Sequence, residues 1–138
     1  MKRFLISMLV FAVVIVSCSK DQQIVRKLEG EWKVTEIKYN GVSADASTYE
    51  NTTYTFESCK VSKEDCSGTM EAIDGTKGLT SFPFTYSISE KGTQLTINLD
   101  ILGFTTTTVS EILESSSKKF VWSSTEDGVT TETTIEPK

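Results

Sequence analysis

The sequence predicts an all-β domain, a small up-and-down antiparallel barrel of about eight strands, with a β-sandwich as the alternative architecture. Three observations predict it. From residue 31 onward apolar and polar residues alternate at the strand period, and no stretch sustains a helical one. Turn signals recur every ten residues or so, and threonine is abundant between them. The strands are mostly joined to their neighbours by short connections, which makes a meander, and eight meandering strands close naturally into a barrel.

The chain opens with the basic head Met1-Lys2-Arg3. Residues 4–16 follow as an apolar run in which Ser7 is the only polar residue. That length suits the core of a signal peptide and is too short to span a bilayer comfortably as a helix. The run ends in Ile15-Val16-Ser17-Cys18, which resembles the bacterial lipobox: a branched apolar residue at −3, a small residue at −1, then the cysteine that becomes the new N-terminus. The resemblance implies a signal peptide at 1–17, cleavage before Cys18, and acyl chains such as palmitate on Cys18. Each buried methylene contributes about 0.8 kcal/mol, so one chain binds marginally and two or more anchor stably. Ser19 stands where the inner-membrane retention pattern of enteric bacteria has aspartate. The expectation is therefore a lipid anchor in the cell envelope, on the outer membrane.

Cleavage leaves residues 18–138, enough for one domain with a real core. Losing Lys2 and Arg3 takes 14 basic residues to 12 against 19 acidic ones, a net charge of −7. An acidic surface without a basic patch disfavours nucleic acid. Of three cysteines, acylation uses Cys18. Cys59 and Cys66 remain as an even pair in an oxidising compartment, so a disulfide across a short excursion is the default, with two buried thiols as the rival. Two thiols and no histidine are too few ligands for a zinc site.

Residues 18–28 read as a lipidated polar tether passing into a helical turn through Ile24, Val25 and Leu28, and residues 29–138 as the barrel. The first strand spans about 31–39. Trp32 and Val34 face one way, then the alternation slips to Ile37 and Tyr39, which predicts a bulge. Asn40-Gly41 turns the chain, and 42–52 is a polar loop. Residues 53–59 form a strand with Tyr54 and Phe56 inward. Residues 69–73 are a short strand ended by Asp74-Gly75. Phe82, Phe84, Tyr86 and Ile88 then share a face, with Pro83 expected near a strand start or edge because it has no amide hydrogen. Glu90-Lys91-Gly92 links this strand to Leu95, Ile97, Leu99 and Ile101. Strands at about 104–113, 119–124 and 129–136 follow, the last two joined by the hairpin signal Asp127-Gly128.

Leu28-Glu29-Gly30-Glu31-Trp32-Lys33-Val34 resembles the lipocalin signature, a Gly-x-Trp at the start of the first strand after a short helical turn. The whole mature chain is similar to the short lipocalin-like lipoproteins common in Bacteroidota. The resemblance implies that Trp32 plugs the closed end of the barrel and that Gly30 lets the entering chain pack close to it. The Thr-Asp-Tyr turn of many lipocalins is missing, as is the late arginine that packs on the tryptophan; the only arginines are Arg3 and Arg26.

Nothing in the residues supports catalysis or implies a cofactor. The commonest general base is absent, no serine sits in a Gly-x-Ser-x-Gly turn, and carboxylates such as Glu111 and Glu114 read as solvated. The expected function is a non-catalytic, membrane-anchored barrel binding a small apolar or amphipathic molecule. Trp32, Phe84, Tyr86, Ile97 and Leu99 are expected inside it, with Phe84, Tyr86, Thr106 and Thr108 as candidate ligand contacts. The rival is an interaction module with a packed core that docks to an envelope protein or glycan through an exposed apolar patch including Val121.

Overall fold

The computed structural model describes residues 19–61, 65–75 and 78–138; the lipidation site expected at Cys18 lies outside them. A nine-residue helix, α1 (Lys20–Leu28), precedes nine strands: β1 (Gly30–Tyr39), β2 (Val42–Ser43), β3 (Thr53–Phe56), β4 (Cys66–Asp74), β5 (Gly78–Ser89), β6 (Gln94–Ile101), β7 (Phe104–Ser115), β8 (Phe120–Glu126) and β9 (Val129–Pro137). Every pairing is antiparallel. Neighbours in sequence pair from β3 to β9, β1 pairs with β3, and β9 returns to β1 over Trp32↔Pro137 to Tyr39↔Thr131. That last ladder closes the sheet into an eight-stranded barrel and excludes the sandwich. β2 is a two-residue strand beyond β3 on the same edge of β1.

The local chemistry explains most of the boundaries. The expected bulge in β1 is present, a register shift between Val34 and Glu36. Asn40-Gly41 and Asp127-Gly128 have φ of 50°/82° and 50°/79°, the left-handed pair that a type I′ hairpin requires. Pro83 lies in the middle of β5, not at its start. It is tolerated because β6 pairs with β5 only from Phe84 onward, so residues 78–83 have an unpaired side. The β6–β7 turn uses Leu102-Gly103, with φ of 53° at a leucine, and carries none of the usual dipeptide signals.

The helical turn expected through Ile24, Val25 and Leu28 is the end of a longer helix that begins at Lys20. Ser19 caps α1 by accepting from the Gln22 amide at 3.1 Å, Asp21 sits in the first turn, and Arg26 and Lys27 in the last, each suited to the helix dipole. Ile24, Val25 and Leu28 fall on one face and are buried across one end of the barrel. Asp21 Oδ1 accepts from the Gly92 amide of the β5–β6 turn at 2.6 Å. The Gln22 side chain donates to the Cys59 carbonyl at 2.8 Å and accepts from the Val61 amide at 3.1 Å. Cys59 and Cys66 form a disulfide, with Cα atoms 5.4 Å apart, that ties the β3–β4 connection at the same end.

The core sits at this closed end. Trp32 donates its indole N–H to the Leu28 carbonyl at 2.6 Å and meets Phe120 edge-on at 5.8 Å, so it joins helix to barrel. Gly30 serves differently from expectation. A Cβ there would meet nothing within 4 Å; its φ of +122° is what demands glycine. Phe56, Phe84 and Tyr86 pack edge to face with centroids 5.0–5.3 Å apart around Phe56. Gly68, opposite Phe84 across the β4–β5 ladder, leaves room for its ring.

Candidate functional site

Strand parity points Tyr54, Met70, Ile97, Leu99, Thr106, Thr108, Ser110, Trp122, Ser124, Thr131 and Thr133 into the barrel beyond the aromatic core, where a cavity of about 510 Å³ opens at the other end. The aromatic cluster forms its floor through Tyr54, whose ring touches Phe56, Phe84 and Trp122 at 6.0, 5.9 and 5.7 Å.

The cavity is two-sided because of strand pairing. On β6, Ile97 and Leu99 stand opposite Thr108 and Thr106 of β7. On β8, Trp122 and Ser124 stand opposite Thr133 and Thr131 of β9. Apolar surface from Met70, Ile97, Leu99 and the two rings thus faces hydroxyls of β7, β8 and β9. Ser110 and Thr133 are only 3% and 8% exposed, yet neither hydroxyl has a hydrogen-bond partner among the described residues. Each keeps some surface on the cavity, since no fully enclosed side-chain polar atom lacks a partner. The same holds for the Tyr54 hydroxyl and the Trp122 indole N–H. Buried polar groups normally find partners, so these atoms are open to a partner inside the cavity, whether water or a ligand. Burial pushes the Tyr54 hydroxyl up to about 12.

The lip bears charge of one sign. Glu126 and Asp127 line the cavity at the β8–β9 turn, and among the described residues no lysine or arginine lines it. Around the mouth, Tyr39, Val42, Ile73, Leu79, Ile101, Leu102, Phe104 and Val129 are exposed, eight of the ten large apolar residues in that state among the described residues. They belong to the β1–β2, β4–β5, β6–β7 and β8–β9 hairpins, so the exposed apolar surface is concentrated at the open end.

Of the four candidate ligand contacts, Thr106 and Thr108 line the cavity, but Phe84 and Tyr86 do not. They are 3% and 0% exposed in the closed half, and the Tyr86 hydroxyl donates to the Glu57 carbonyl at 3.0 Å. They share a face with the cavity-lining residues at a different depth along the barrel. Val121 does not join an exposed patch either. Although out of phase with Phe120 and Trp122, it is 6% exposed, between Glu114 and Thr134 in its ladders and beside the Lys119–Glu114 ion pair. Sequence reasoning missed Met70, Ser110, Ser124, Glu126 and Asp127. Continuing the parity of Trp122 by two and four residues finds Ser124 and Glu126. Glu111 and Glu114 lie outside the cavity, and no group of three or more metal-ligating side chains occurs among the described residues.

A family model described as a lipocalin-like domain matches residues 28–134. The fold is similar to the crystal structure, at 1.79 Å resolution, of a lipocalin-like protein from Bacteroides uniformis ATCC 8492, with a TM-score of 0.59 and 18% identity over 81% of this chain and 99% of that one. It is also similar to the structure of a redesigned β-barrel, with a TM-score of 0.57 and 13% identity over 83% and 95% of the two chains. No curated protein matches the sequence.

Proposed function

Since the chain belongs to the lipocalin-like domain family, we propose that it is a non-catalytic binding protein of the bacterial cell envelope that holds a small amphipathic molecule in the mouth of its barrel. The observation that carries this reading is the uneven filling of the interior. The half under α1 is packed by aromatic rings, while the half at the mouth is a two-sided cavity of about 510 Å³, a volume that suits a small ligand. Ile97, Leu99 and Trp122 take the apolar part, and Thr106, Thr108, Ser110 and Thr133 supply polar contacts.

The anchor in this proposal is Cys18, acylated after cleavage of the signal peptide and seated in the outer membrane. Only Ser19 separates it from the first residue of α1, which lies across the closed end. An anchor there sets the closed end on the bilayer and turns the mouth towards the aqueous phase. Labelling cells with a clickable palmitate analogue tests this: label on the wild-type chain and none on Cys18→Ala is expected, and an unlabelled wild type refutes it.

The binding reading is tested by native mass spectrometry of the protein extracted from its membrane. An extra mass that is lost on denaturation is expected. A bare mass, unchanged by incubation with envelope lipid extract, would refute binding. The second reading, docking to an envelope protein or glycan, is favoured by the ring of exposed apolar side chains at the mouth.

A further inference from the structure

Granting that the cavity binds a ligand, its charge pattern restricts what the ligand is. Glu126 and Asp127 stand on the lip, and neither belongs to an ion pair or hydrogen bond within the protein among the described residues. Among the described residues no cation lines the walls. Deeper in, the unpartnered hydroxyls of Ser110 and Thr133, 3% and 8% exposed, are neutral groups able to donate or accept. A carboxylate or phosphate head would therefore meet two like charges at the lip and no counter-ion below. Burying it unpaired is unfavourable, and placing it at the lip is repulsive. An ammonium head reverses both signs, with carboxylates to pair with at the lip and solvent for the rest of its hydration.

We infer that the site selects cationic amphiphiles: an ammonium head between Glu126 and Asp127, with an apolar body lying along Leu99 and Trp122. The floor at Tyr54, packed against Trp122, stops entry into the aromatic half. Both carboxylates are solvent-exposed, so the preference is moderate: exposed ion pairs are worth a few-fold each and weaken with salt.

The test uses three probes that differ only in the head: 4-phenylbutylamine, 4-phenylbutanol and 4-phenylbutyrate. The full chain is reconstituted in nanodiscs of zwitterionic phosphatidylcholine, and binding is measured by calorimetry against empty discs. The amine is expected to bind about ten-fold more tightly than the carboxylate, with the alcohol between them. Raising the salt to about 0.5 M narrows that ratio several-fold. The Glu126→Gln, Asp127→Asn double variant brings it near unity by weakening the amine and strengthening the carboxylate. Asparagine suits position 127 because it tolerates the left-handed φ of 50° found there. Equal binding of all three probes, or tighter binding of the carboxylate, overturns the charge preference and leaves the binding function standing. Failure of all three to bind overturns both.

Discussion

An alanine at position 68 would place its Cβ 2.3 Å from Cζ of Phe84 and 2.6 Å from the Thr55 carbonyl oxygen. The second contact is with backbone, and the first is with a ring held by others. Phe84 meets Phe56 at 5.3 Å and Tyr54 at 5.9 Å, so it has little room to retreat. Overpacking of this kind costs about 1–3 kcal/mol, and each aromatic pair loosened costs a further ~0.5–1.5 kcal/mol. Against this, replacing glycine inside a strand ordinarily stabilises by roughly 0.5–1 kcal/mol. The steric terms win, and Gly68→Ala is expected to lose about 2–3 kcal/mol. Urea unfolding followed by tryptophan fluorescence measures it, since Trp32 and Trp122 report on the two halves of the interior. In a Phe84→Leu background the cost of Gly68→Ala should fall by at least about 1 kcal/mol, leaving the Thr55 contact. A loss under about 1 kcal/mol, or one that Phe84→Leu does not change, would refute the account of how glycine and ring share this ladder.

Leu102 adopts φ 53° at an exposed turn position where asparagine is favoured. Leu102→Asn should therefore stabilise by about 1 kcal/mol, seen as a higher urea midpoint, and a destabilised variant would contradict the turn assignment. The Cys59–Cys66 disulfide closes a short loop, and its replacement by two serines should lower stability by about 2 kcal/mol, with far-UV circular dichroism of the folded state unchanged. Alkaline pH should unfold the barrel. Burial pushes both Tyr54 and Tyr86 up to about 12, with the negative charges of Glu29 and Glu57 adding at Tyr86. Both stay neutral when folded while the unfolded chain ionises near 10, so their contribution is complete below pH 10 and lost as the pH rises towards 12. For Tyr54 the two-unit difference corresponds to about 3 kcal/mol, and water in the adjoining cavity reduces it to about 2. Tyr54→Phe should remove that part of the pH dependence; a slope identical to wild type between pH 10 and 12 would show that Tyr54 does not carry it.

Much of the barrel was legible locally. Alternation of period two marked the strands. Asn40-Gly41 and Asp127-Gly128 announced their turns because few other dipeptides hold two left-handed residues. The slip after Val34 showed the bulge, and Cys59 and Cys66 were close enough in sequence to pair. Each of these rests on forces acting within about ten residues. Where a competing tertiary contact decided, the sequence was silent or misleading. The helix over Lys20–Leu28 is held by Gly92, Cys59 and Val61 from distant segments. Leu102-Gly103 turns without a turn signal, and Val121 is covered despite its phase.

What the sequence determined by itself is which side of most strands faces inward, because the pleat allows only two answers; β7, with hydroxyls on both faces, is the exception. Depth along the barrel was decided by the tertiary structure alone. Phe84 and Thr106 both point inward, but Phe84 lies beneath the aromatic floor and Thr106 beside the mouth. Their levels follow from the stagger of eight strands, closed by a β1–β9 ladder between residues about a hundred positions apart. That same closure sets Glu126 and Asp127 on the lip and the unpartnered hydroxyls behind them, because a cavity is formed by the distances between strands and no single strand encodes it.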